Sequence, residues 1–314
     1  MDHRNVCSEA ETIAVASPCE EGVYPASGRG FSHMQIAIGS YDHTKGLKDG
    51  SVSTPGIDFE FVEVSPITRA FRPMATQQAY DLAEMALATY MLARVYGKPV
   101  LGLPIVLVRS SLLPGLVTSA GSASNDAREL NGKTLGIRSY TQTSGVWVRG
   151  ILQDAFGLDL SSLKWLTFEG SHLDEYVDPA FVTRAPEGAN MADMVKSGEL
   201  FAAIGLPASE GLRPYLADPA KAESEWASSS GVRTVNHILT VKQSLVDADP
   251  SLPAKLTDLF ERARGSNGAT VPPIGVEPNR KAFETLSRYA YEQGVTPRLL
   301  SVEELFPTAV ASAR

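Results

Sequence analysis

Apolar residues in this chain gather into short runs separated by polar turns rich in glycine and proline, and two periods alternate along it. Compact or alternating runs predict strands at 35–39, 57–64, 100–108 (with Pro104 inside), 134–137, 163–168, 200–205 and 235–241. Recurrence at three and four residues predicts helices over 86–96, 146–156, 191–196, 252–264 and 278–293. The 80–85 stretch fits either period. Three stretches carry no clear pattern: 112–125 is Gly/Ser-rich, 170–188 is irregular, and 218–230 is polar.

Alternating strands and helices imply an α/β fold with largely parallel sheets. The Gly/Ser-rich stretch and a return near residue 232 divide it into two lobes with a ligand cleft between them. The expected organisation is a leader over 1–33, lobe 1 over 34–117 and 233–314, and lobe 2 over 118–232. In open α/β sheets ligands sit at the carboxyl ends of strands. That rule brings Tyr41–Thr44, Glu84, Ser139–Ser144 and the Leu206–Pro207 turn toward one cleft.

The most informative stretch runs from Thr134 to Gly157. A short apolar strand leads into Ser139–Ser144, which is rich in hydroxyls. An amphipathic helix carrying Val146, Trp147, Ile151, Leu152 and Phe156 follows, and Gly157 stops it. A helix start of this kind offers unpaired N–H groups and the positive end of the helix dipole, which suits a carboxylate or phosphate. Arg138 and Arg149 add positive charge, although an ordinary capped strand–helix connection has the same pattern.

Composition narrows the function. With 43% hydrophobic and 20% charged residues the chain is an ordinary globular protein, and its net charge of -8 argues against general nucleic-acid binding. Cys7 and Cys19 are its only cysteines and both lie in the leader, so no disulfide framework or Cys-based metal site is expected in the rest. No apolar run has the length of a membrane span. The leader lacks a basic segment followed by an apolar one, so cytoplasmic location is the expectation.

None of the common phosphate-loop, nucleophile-elbow or metalloprotease signatures occurs. His43, beside Asp42 in a polar turn, stands where an acid or base is wanted. His237 interrupts an apolar strand, where a histidine is often only a hydrogen-bonded core residue. His172, followed by Asp174 and Glu175, reads more simply as a solvated loop than as a metal site. Arg69, Arg72 and Arg149 have surface or inter-lobe salt bridges as their alternative role.

Several segments in order resemble the 4,5-dihydroxyphthalate decarboxylases: Ser40–Gly50, Gly56-Ile-Asp58, Tyr80–Met85, Gly136–Tyr140, Gly145–Leu152, Arg184–Gly188, Asn236-His237, Gly275–Lys281, Tyr291–Gly294 and Glu303–Phe306. The similarity runs from about residue 35 to the C-terminus. One departure is the stretch after the buried strand, where an aromatic–x–His segment is common in the family and this chain has Leu112-Leu-Pro-Gly115. The resemblance implies the type 2 periplasmic-binding-protein-like fold and a cofactor-independent decarboxylation of a small hydroxylated aromatic carboxylate, 4,5-dihydroxyphthalate going to protocatechuate and CO₂. The sequence offers no compact set of metal ligands, and metal dependence is left open. No nucleic-acid or membrane partner is implied, and assembly into a homo-oligomer is left open. On this reading Arg138 with Ser139, Tyr140, Thr141, Thr143, Ser144 and Arg149 binds the retained carboxylate. His43 or His237 donates the proton, and Asp42 or Glu84 orients it. The alternatives are a non-catalytic solute-binding protein of the same fold, or a related lyase or dehydratase on another cyclic carboxylate.

Overall fold

The structure, a computed structural model, describes residues 33–265 and 271–311. The leader, and the cytoplasmic expectation drawn from it, falls outside these residues except for His33.

In chain order the strands are β1 (Met34–Ala37), β2 (Phe59–Phe61), β3 (Leu82–Ala86), β4 (Val100–Val108), β5 (Leu116–Ser119), β6 (Thr134–Ile137), β7 (Lys164–Thr167), β8 (Val182–Arg184), β9 (Ala202–Ile204), β10 (Leu212–Pro214) and β11 (His237–Lys242). They form two sheets, ordered β2-β1-β3-β11-β4 and β10-β5-β9-β6-β7-β8. The chain leaves the first sheet at Val108, enters the second at Leu116, and returns at His237. The first crossing is clasped by Glu223, whose Oε2 accepts from Leu112 N at 2.7 Å, Leu113 N at 2.9 Å and Ser111 Oγ at 2.9 Å. Leu112–Gly115 thus serves as part of the crossover, with Leu112 and Leu113 buried.

The sheets are mixed rather than largely parallel. β11 runs antiparallel to both β3 and β4, and β5 runs antiparallel to both β9 and β10. The returning strand β11 enters between strands laid down much earlier, and its direction is set by that crossing. Pro104 sits where the β11–β4 register slips: Leu239 faces Leu103 and Ile238 faces Val106. A residue without an N–H fits such a bulge.

Local pattern explains the elements read from sequence. The 80–85 stretch resolves as β3, buried along its whole length. Gly157 adopts φ 66° and closes the Thr143–Phe156 helix with bonds to Gln153 and Leu152 carbonyls. Strands β5 and β8 lie within the stretches that carried no pattern, and Pro219–Ser230 is a helix there. That helix is capped by Asp218 on the Lys221 N–H, and Trp226 is its one buried residue. A single anchor leaves no apolar stripe to read.

The Arg280–Glu292 helix packs against the Thr143–Phe156 helix at Gly150, where an added Cβ would lie 2.1 Å from the Tyr289 ring. No helix among the described residues is long and apolar enough to cross a membrane.

Candidate active site

The β3–β11 register assembles the central pair. Leu239 faces Glu84 and His237 faces Ala86, so Glu84 and His237 are diagonal neighbours on one face of the sheet. His237 Nδ1 lies 2.6 Å from Glu84 Oε1. Glu84 is 0% exposed and accepts two further bonds, from the Tyr41 hydroxyl at 2.8 Å and the Gly39 N–H at 2.9 Å. Both carboxylate oxygens therefore accept, which makes Nδ1 the donor and leaves His237 Nε2 as the outward nitrogen. Gly39 is required here because a Cβ would lie 2.4 Å from the Tyr41 ring. Burial, and next the Glu84 charge, push the Tyr41 phenol well above its ordinary pKa, so it stays a donor.

His237 opens onto a small cavity of about 80 Å³ between the lobes. Phe71, Thr89 and Asn236 line it from the first lobe; Arg138, Ser139, Thr141–Ser144 and His172 line it from the second. The second wall is the start of the Thr143–Phe156 helix, where no side chain caps the free N–H groups. The Thr143 hydroxyl instead accepts from Ala88 N at 2.9 Å, across the cleft. Arg138 reaches the cavity while pairing with Glu169 at 2.7 Å, which leaves guanidinium donors over.

His172 takes a larger part than its sequence suggests. It is mostly buried, with Nδ1 2.8 Å from the Thr89 hydroxyl, and Phe71 stands edge-on to both His172 and His237 at 6.0 and 4.9 Å. Burial, reinforced by Arg138, lowers its pKa to about 4, so it is a neutral imidazole near pH 7. Phe71 and Thr89 went unnoticed because an apolar and a hydroxyl residue carry no chemical signature alone.

Other expectations are corrected. Arg149 is 0% exposed and lies away from the cavity, held by Gln293 Oε1 at 2.7 Å, the Tyr140 carbonyl at 2.8 Å and the Tyr140 ring. It braces the turn from behind. Tyr140 likewise turns into the core, donating to the Gln293 carbonyl at 3.0 Å. Asp42 is exposed and His43 faces a different pocket; His43 Nε2 is 3.1 Å from the Leu107 carbonyl, so this nitrogen donates there. Burial lowers the His43 pKa. His43 stacks at 5.3 Å on the ring of Tyr41, whose hydroxyl bonds Glu84. The Leu206–Pro207 turn does not line the cavity.

Arg72 closes the cleft from outside. It grips Asp174 at 2.6 and 2.8 Å and the Ser171 carbonyl at 3.1 Å, and Lys98 pairs with Glu175 beside it. No group of three or more His, Cys, Asp or Glu side chains that could hold a metal ion occurs among the described residues.

Two relatives of known name are similar to this chain. A protein named 4,5-dihydroxyphthalate decarboxylase from Comamonas testosteroni is 27% identical over 248 residues, covering 74% of each chain. One of the same name from Pseudomonas putida is 30% identical over 212 residues, covering 62% of this chain and 81% of its own. This chain belongs to the 4,5-dihydroxyphthalate decarboxylase family. No family profile matches it. Among solved structures, the aliphatic sulphonate binding protein SsuA of Escherichia coli superposes with a TM-score of 0.57 at 11% identity, over 90% of this chain and 99% of that one. An SsuA from Methylobacillus flagellatus gives 0.54 at 12% identity, over 91% and 94%. This member of the decarboxylase family has the two-lobed periplasmic-binding-protein fold.

Proposed function

We propose that this chain is a carboxy-lyase that converts 4,5-dihydroxyphthalate to protocatechuate and CO₂. The observation that carries the reading is the buried Glu84 carboxylate holding His237 at an anion-suited helix start, in a chain of the decarboxylase family. A solute-binding role would need no such acid–imidazole pair.

The chemistry needs a proton on the ring carbon that bears the departing carboxylate. A hydroxyl para to that carbon pushes electron density into the ring, and protonated His237 donates from Nε2. The C–C bond to the carboxylate then breaks, its electron pair restores the aromatic ring, and CO₂ leaves. His237 regains its proton from water, so the ring carbon exchanges CO₂ for hydrogen overall. Glu84 fixes the imidazole orientation and stabilises its cationic form.

The retained carboxylate would accept from the first-turn N–H groups at Thr143 and Ser144, from the hydroxyls of Ser139, Thr141 and Ser144, and from Arg138. Neutral His172 would accept the hydrogen of a ring hydroxyl. The departing carboxylate lies best against the apolar Phe71 ring, away from Arg138, so that no guanidinium pair holds it in the ground state.

A cavity of about 80 Å³ is smaller than the roughly 150 Å³ that admits a benzene ring. Substrate entry thus requires the lobes to part, with the Arg72–Asp174 and Lys98–Glu175 pairs as outer fastenings.

The test is to incubate purified protein with 4,5-dihydroxyphthalate, with and without chelator, and to follow CO₂ and protocatechuate together. Equal yields of the two are expected. A sample that binds the diacid yet releases neither product would remove the enzyme assignment.

A further inference from the structure

Tyr41 belongs to two sites. Its hydroxyl donates to Glu84, while its ring, stacked on His43, lines a second pocket of about 720 Å³. Arg109, Arg233 and Lys281 converge there. Arg109 spends its hydrogen bonds on neutral acceptors, the Thr234 carbonyl at 3.0 Å and Asn279 Oδ1 at 2.8 Å. Among the described residues no ion pair joins any of the three to a carboxylate. Lys281 Nζ lies over Gly231, 3.1 Å from where a Cβ would stand.

Burial and the neighbouring Arg233 charge both lower the Arg109 pKa, a sign of like charges crowded without compensation. In a chain of net charge -8, such a cluster attracts anions locally. The remaining wall is apolar, formed by Val271, Pro272, Pro273 and Pro278. Beside it lie the stacked Tyr41 and His43 rings, His43 made harder to protonate by burial.

We propose that this pocket is a second anion site, separate from the inter-lobe cavity, that takes a planar aromatic carboxylate. The guanidinium forks match a carboxylate, and the proline wall with the Tyr41–His43 stack accepts a ring. The site requires no turnover, so it stands or falls apart from the proposed reaction.

Phthalate is the probe, because it carries the carboxylates and lacks the hydroxyl that pushes electrons toward decarboxylation. Calorimetric titration of wild type, an Arg233→Gln/Lys281→Gln double variant and an Arg138→Gln variant reads the sites. Both residues of the double variant are exposed, and its unfolding midpoint serves as the fold control. We expect the double variant to lose one phthalate site, weakened about tenfold or more, while Arg138→Gln retains that site. A double variant that titrates like wild type overturns the proposal, as does loss of the same site in Arg138→Gln. Inorganic phosphate that displaces phthalate from this site at equal concentration overturns the aromatic assignment. Absence of CO₂ release from dihydroxyphthalate, with the phthalate result as expected, would refute only the catalytic reading.

Discussion

Replacing Glu84 by Gln tests the central pair with almost no change of shape. The carboxylate accepts from three donors, His237 Nδ1 at 2.6 Å, the Tyr41 hydroxyl at 2.8 Å and Gly39 N at 2.9 Å. An amide has one acceptor oxygen. With its NH₂ toward Gly39, two N–H groups oppose each other. With its NH₂ toward Tyr41 and His237, the hydroxyl turns to accept and the imidazole is driven to the tautomer with hydrogen on Nε2. Losing the charge-assisted bond to the imidazolium costs about 1.5–3 kcal/mol, or roughly ten- to a hundredfold in rate. The tautomer error extends the loss toward the roughly 10²–10⁴-fold usual for acid–base groups. Glu84 does not line the cavity, so KM should change little. A buried donor left unpaired should lower stability by about 1–3 kcal/mol. The assay is steady-state release of CO₂ and protocatechuate beside a urea unfolding curve. A folded Glu84→Gln protein with kcat within about threefold of wild type would refute the pairing as the source of catalysis.

Three further outcomes are expected. His172 titrates near 6.5 when unfolded and at about 4 when folded, so in that window the unfolded chain holds the extra proton. Stability therefore rises with pH across it and is lost on acidification, by about 3 kcal/mol at pH 4; His172→Asn should flatten this dependence in urea curves from pH 7 to 4, and coincident curves would refute it. Gly150→Ala, which in an exposed helix would stabilise by about 1 kcal/mol, should instead destabilise by about 1–3 kcal/mol because its Cβ meets the Tyr289 ring at 2.1 Å; an unchanged or raised melting temperature would contradict this packing. Glu223→Ala removes the acceptor of two backbone N–H groups at the crossover and should cost about 1–3 kcal/mol by chemical denaturation; a cost below about 0.5 kcal/mol would show that water replaces the clasp.

The sequence by itself determined the elements whose signals are local. Thr134–Ile137, the hydroxyl turn, the following helix and the Gly157 stop were legible because apolar spacing, polar turns and a φ-permissive glycine act over a few residues. Sequence resemblance extended that reading to the family and the two-lobed fold. Strand β5, strand β8 and the Pro219–Ser230 helix were not legible, since short elements and a helix with one buried anchor carry too little period.

Tertiary structure decided which candidate residues meet. Both Glu84 and His237 stood out as candidates, but only the antiparallel β3–β11 register makes them diagonal neighbours across 153 residues of chain. Arg149 and Tyr140 lie in the stretch that looked anionic-ligand-ready, yet Gln293 from the far end of the chain draws both inward. His172 gained its place because the cleft closes around it, with Thr89 and Phe71 contributed by the other lobe. Periodicity reports which face of an element is apolar; it carries no information on which distant element covers that face. The helix start was therefore legible as an anion-suited end from the chain alone, whereas the choice between His43 and His237 as the imidazole facing it needed the β3–β11 register.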